Sequence, residues 1–86
     1  MDIVNRLYSV LDDIGKSKYI GNKQIDRSRN VTALKMRHGL HPYNMPMKWR
    51  EIGEPLGVTT ERARQIELKG ERLLGHAVRE YQIFKI

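Results

Sequence analysis

Lys48–His76 reads KWREIGEPLGVTTERARQIELKGERLLGH, and the spacing within it decides the fold. Apolar Ile52, Leu56, Val58, Ala63 and Ile66 surround two glycines, Gly53 and Gly57. The pattern predicts two helices joined by a tight turn, a helix-turn-helix. Gly53 lacks a side chain and lets the helices approach, Gly57 can take the positive φ of the turn, and Val58 fills the corner. Thr59 suits the N-cap of the second helix, because its hydroxyl can accept a backbone N–H left without a partner in the first turn. Beyond it, Ala63, Ile66, Gly70, Leu73, Leu74, Ala77 and Val78 recur at three- and four-residue steps and form an inward face. Thr60, Glu61, Arg64, Gln65 and Leu68 fall on the opposite side. On a helix able to enter a major groove, such side chains match base edges: Arg with guanine, Gln with adenine, Glu with the cytosine amine. Arg62, Lys69 and Arg72 flank them and suit phosphates. A polar outer face is equally what any solvent-facing helix carries.

Toward the N-terminus, His41–Met47 (HPYNMPM) holds two prolines and an Asn and predicts a loop. Before it, a helix is expected from Ser28 or Asn30 through Val31, Leu34 and Arg37 to His38, with Gly39 at the left-handed position after its end and Leu40 supplying the apolar contact. Residues 16–27 mix Gly21-Asn22 with Ser and Lys and read as a connector, part of which, through Tyr19, Ile20 and Ile25, is expected to pack on the core. Ile3, Leu7, Val10, Leu11 and Ile14, beside Val4 and Tyr8, mark an amphipathic helix with Asp2 as N-cap and Gly15 as stop. The fold class expected is all-α, with residues 1–28 as an N-terminal helix and connector and residues 29–86 as the helix-turn-helix domain. The C-terminal YQIFKI is apolar for a terminus and is expected to add to the core or to an interface.

The chain has 86 residues, a length at which about 60% of the unfolded surface is buried, so a large enclosed catalytic cleft is not expected. There is no cysteine, which excludes disulfides, thiolate zinc sites and cysteine nucleophiles. No run of apolar residues exceeds two, and MDIVNRLYSVLDDIG has neither the basic lead nor the apolar block of a signal peptide; a cytoplasmic location, away from membranes, is expected. The formal charge is +6, and all of it falls in residues 27–86, where twelve bases face six acids. A small module with that asymmetry attracts polyanions.

The residues already quoted resemble a known family. Lys48–His76 looks like the second half of region four of bacterial primary-type sigma factors, and Ala33–Leu40 (ALKMRHGL) is similar to the first half, where a helix ends in a basic-aromatic-glycine turn. The resemblance covers about residues 29–76, and VTTERARQIELK is its most specific part. It implies a domain that recognises the upstream promoter element and whose apolar groove holds the flap of the RNA polymerase β subunit. It implies further that Glu61, Arg64 and Gln65 read bases, that Arg62 contacts DNA, and that Lys69 and Arg72 can meet DNA-bound activators.

Three departures stand against the family pattern. Thr60 occupies the position where an Arg usually reads guanine, and one bidentate Arg contact carries about 1–3 kcal/mol of discrimination. Pro55 lies late in the first helix of the motif, where it removes a backbone donor and should kink or shorten the helix. Gly70 and Glu71 replace residues that in the family favour helix and are apolar. The aromatic-rich helix with which a complete sigma factor melts DNA has no counterpart among one Trp, one Phe and four scattered Tyr. Four reading side chains cover about four base pairs, recurring about every 256, among about a million competing sites. Specificity is therefore expected to come from a partner.

The function expected is that of an accessory transcription regulator that docks on bacterial RNA polymerase and contacts double-stranded promoter DNA, without enzymatic activity. Two rivals stand beside it: a protein-only module that binds polymerase or sigma without reading DNA, and a dimeric operator-binding repressor. An enzyme is the weakest reading, since no Ser-His-Asp set or phosphate-cradling Gly loop is present. His38 and His41 straddle Gly39 with no third clustered ligand, so no metal or cofactor is expected, and His38 suits the dipole at a helix C-terminus. Trp49 is expected as a core anchor rather than a stacking platform. Met45 and Met47 either fill gaps around it or form an adaptable docking surface.

Overall fold

The computed structural model describes residues 3–81, with side chains to residue 78. Four helices carry it: α1 (Ile3–Gly15), α2 (Ser28–His38), α3 (Trp49–Leu56) and α4 (Thr60–Tyr81). Asp2 and residues 82–86 of the C-terminal segment lie outside the described residues. The expected small helical domain is what forms, with one addition in the connector. The connector holds a two-stranded antiparallel hairpin, β1 (Lys18–Ile20) and β2 (Lys23–Ile25), paired with Lys18 opposite Ile25 and closed by Gly21-Asn22. Its side chains do not join the core as expected: Tyr19 and Ile20 are 72% and 67% exposed, and Ile25 is half-buried. A three-residue strand is too short to show a period of two, which is why the sequence pattern passes over it.

Helix ends follow local chemistry. Asp26 Oδ1 accepts the Ser28 N–H at 2.9 Å, and this bond holds its carboxyl below the usual range. At the other end of α2, Gly39 takes φ 64°, and the N–H groups of Gly39 and Leu40 donate to the carbonyls of Met36 and Lys35. Helix α3 ends in the same way, with Gly57 at φ 68° and the N–H groups of Gly57 and Val58 donating to Glu54 and Gly53. Both are paired-bond closures of a helix C-terminus, and L side chains rarely adopt that backbone conformation. Pro55 is accommodated inside α3, whose end at Leu56 is set by the Gly57 closure rather than by the proline. Arg29 Nη2 donates to the Leu56 carbonyl at 2.7 Å and satisfies an acceptor that the ending helix leaves over.

The core lies where α2, α3 and α4 meet. Ala33, Met36, Ile52, Ala63 and Ile66 are buried together, with Tyr43, Met47, Trp49, Leu56 and Val58 packed against them. Met47 packs on the same cluster as Trp49, whereas Met45 is exposed. A second cluster joins α1 to this body through Leu11, Val31 and Leu34, flanked by Leu7, Tyr8, Ile14, Leu40 and Leu74. The N-terminal part of the expected α1 stripe is not covered: Ile3 and Val4 are exposed. Tyr8 also anchors the long loop, its hydroxyl accepting the His41 N–H at 2.8 Å.

Gly70 does more than the sequence suggests. A Cβ there would stand 2.5 Å from the Asn30 carbonyl oxygen, so the bare backbone is what lets α4 cross α2 at this distance. Asn30 Nδ2 donates to the Ile66 carbonyl at 2.9 Å at the same crossing. Gly53 plays the matching part at the turn, where a Cβ would meet the Val58 oxygen at 2.8 Å. Among the described residues no helix is long and apolar enough to cross a membrane.

Candidate nucleic-acid interface

Helix α4 rises from the turn with its start fixed by Thr59, whose Oγ1 accepts the Arg62 N–H at 3.1 Å. Buried Ala63, Ile66, Glu67 and Gly70 define its inner side. At about 100° per residue, Glu61, Gln65, Leu68 and Arg72 then lie on the crest opposite. Arg62 and Lys69 form one shoulder, and Arg64 and Glu71 the other. Seven of the eight sequence-predicted residues thus fall at the cap or on the outer half of the helix; Thr60, expected on the outer side, lies about 20° from the direction of buried Glu67 and is exposed at the start of the helix. Thr59, Thr60, Glu61, Arg62, Gln65, Lys69 and Arg72 are exposed, and Arg64 is half-buried. The span from Thr60 to Arg72 is about 18 Å along the axis, enough to lie along a major groove about 12 Å wide.

The crest is organised by pairs three residues apart. Arg64 donates from Nε and Nη2 to both carboxylate oxygens of Glu61, at 2.9 and 2.6 Å. The Arg64 guanidinium is the main cause that holds the Glu61 carboxyl below its usual range, and Glu61 in turn raises Arg64. Arg62 Nη1 donates to Gln65 Oε1 at 3.4 Å, a long and weak bond. Two of the expected base-reading groups are therefore engaged with each other, across exposed contacts that solvent or a competing acceptor can replace cheaply. Lys69 and Arg72 make no ion pair among the described residues, which leaves them available to phosphates.

Trp49 stands behind this surface as a core anchor. Its ring packs on the main cluster, the Arg37 guanidinium stacks 4.4 Å from its centroid, and its Nε1 donates to Glu67 Oε1 at 3.2 Å. Arg37 also donates to the Met47 carbonyl at 3.0 Å, so one guanidinium ties α2 to the loop and to the indole.

Glu67 is what sequence reasoning missed. Its side chain is 0% exposed, and burial, followed by the neighbouring Glu71 carboxyl, pushes its pKa up to about 7. The signal was present in the spacing, because residue 67 lies four after Ala63 and three before Gly70, on the inward face. The expectation that His38 has no clustered ligand partners is also overturned. His38, Glu67 and Glu71 each bring a ligand atom within 4.8 Å of the others.

The fold and this face define a small helical domain in which the outer side of the last helix carries arginine, glutamine, glutamate and lysine beside a tight turn. Comparison with known proteins gives that domain its relationship. Over 50 residues, 58% of the chain, the sequence is 44% identical to RNA polymerase sigma factor SigA of Mycoplasma genitalium. The match spans 10% of that sigma factor's length. The chain therefore contains a sigma-factor-like region. No family model and no solved structure matches the chain.

Proposed function

We propose that the chain is an accessory transcription regulator that docks on bacterial RNA polymerase and presents the outer side of α4 to promoter DNA. The observation that carries this reading is the coincidence of two independent facts. Over half the chain is similar to a sigma factor, and within its most motif-like stretch Glu61, Arg62, Gln65 and Lys69 are exposed on the outer side of α4. Thr59 fixes the start of α4, Glu61, Arg64 and Gln65 address base edges, and Arg62, Lys69 and Arg72 address phosphates. The β-subunit flap is the docking partner that the resemblance favours, and the domain works by binding rather than by catalysis.

Arg64 must leave Glu61 to reach a guanine. That exchange replaces one exposed bidentate contact by another, so it costs little once a duplex is present. The same pairing gives a specific reason for a second reading, a module that grips polymerase and never reads DNA, in which Glu61–Arg64 is simply a surface pair. Purified core RNA polymerase, immobilised and challenged with the intact protein, tests the shared part of both readings. Retention of the protein, and its competition by an isolated flap fragment, is the expected result. Failure to bind polymerase in any form would remove both.

A further inference from the structure

The end of α2 meets α4 at three side chains outside the proposed reading face. His38 Nε2 stands 3.7 Å from Oε2 of Glu67 and 3.7 Å from Oε2 of Glu71. Glu67 and Glu71 are one helical turn apart, so both carboxylates project from α4 toward the same point beside the imidazole. The two oxygens of Glu67 are treated differently. Oε1 accepts the Trp49 indole N–H, whereas Oε2 is buried and accepts no hydrogen bond. A covered carboxylate oxygen without a donor is costly unless a proton or a cation faces it.

The spacing fits a cation. Zinc binds imidazole nitrogen at about 2.0–2.1 Å and carboxylate oxygen at about 2.0–2.2 Å, which in a tetrahedron sets ligand atoms about 3.4 Å apart. The 3.7 Å separations about His38 therefore need to close by only a few tenths of an ångström. His38 and Glu71 are partly exposed, at 49% and 43% of their side-chain surface, so an ion has a path in and a water has room at the fourth position. The indole N–H on Glu67 Oε1 orients that carboxylate from behind, as outer partners of metal ligands do.

We propose that His38, Glu67 and Glu71 form a binding site for a divalent transition-metal ion of the zinc class, with water as the fourth ligand. The bound ion clips the C-terminal end of α2 to the middle of α4. A nitrogen donor with two carboxylates selects zinc-class ions over magnesium and calcium, which prefer all-oxygen shells. Glu71 lies two turns along from Arg64 on the same shoulder, so the clip steadies the helix next to the face proposed to meet DNA. The site itself stands on geometry alone and does not depend on DNA or polymerase binding.

The test is thermal unfolding of the full chain, stripped by chelator and dialysed, near neutral pH. With about 0.1 mM zinc the Tm rises by about 4 °C or more, and magnesium at the same concentration leaves it unchanged. Glu71→Gln and His38→Gln are exposed changes that keep the fold and lose most of the rise. Glu67→Gln keeps an acceptor for Trp49 and loses the rise as well. Cobalt as a spectroscopic substitute gives a visible absorption band that disappears in His38→Gln. No rise with zinc, an equal rise with magnesium, or a full rise retained in both His38→Gln and Glu71→Gln would overturn the proposal.

Discussion

Glu61 and Glu67 sit on one helix, six residues apart, in opposite circumstances. Glu61 is exposed, held by an arginine of its own helix, and its carboxyl is stabilised in the charged form. Glu67 is covered, held by an indole from another helix, and its carboxyl resists ionisation up to about 7. The outer side of α4 uses local, replaceable contacts, and the inner side uses long-range contacts that are expensive to disturb. A surface that must exchange its partners for a duplex and a seam that must hold the helix in place call for this division.

The division can be broken from the inside first. Gly70→Ala brings a Cβ to 2.5 Å from the Asn30 oxygen, a collision with backbone that no rotamer relieves. The expected loss is about 3 kcal/mol, read as a drop in denaturant midpoint with the slope unchanged. An alanine there that leaves stability intact would show that α2 and α4 do not cross as described.

Glu67 sharpens the comparison through pH. Its folded pKa, about 7, lies above the ordinary carboxyl value of 4.5, so its protonated form favours the native state. That contribution is complete below the ordinary value and is lost as pH rises through the folded one. With metal removed by chelator, Tm is expected to fall as pH increases across this interval. His38, Glu71, Arg37 and the Trp49 indole all face the group. Glu67→Gln, which cannot ionise, flattens the fall. Glu61 works in the other direction: its lowered pKa makes its contribution present at neutral pH and lost on acidification.

The N-cap comes next in size. Thr59→Ala removes the acceptor of the Arg62 N–H and is expected to cost about 1 kcal/mol, while Thr59→Ser retains most of the stability. Smallest of all on stability is Arg64→Ala with Gln65→Ala, whose side-chain hydrogen bonds stay within their own helix among the described residues and whose removal is expected to leave Tm nearly unchanged.

What the sequence revealed follows the same line between local and distant. The end of α1, the extent of α2, the turn after α3 and the outer face of α4 were readable, because caps, glycines and helical period act within a few residues. The Gly39 and Gly57 closures and the Thr59 cap are of this kind. The hairpin was not readable, since strands of three residues with Tyr19 and Ile20 facing solvent leave no alternation to find. Gly70 read as an inward-facing departure from the family pattern, and only the position of Asn30 shows the close approach that it permits. Glu67 lay at an inward step but carried no sign of its partners. His38 and Glu71 come from elements 33 residues apart and meet only through the crossing of α2 and α4.

The central claim is that the outer side of α4 meets DNA, and equilibrium binding to a promoter duplex at several salt concentrations tests it most directly. Contact with three to five phosphates predicts a log-log slope of about −3 to −4.5. Arg64→Ala with Gln65→Ala is expected to weaken binding about tenfold or more with the fold intact. A flat salt response, or affinity unchanged in that double variant, would contradict the account.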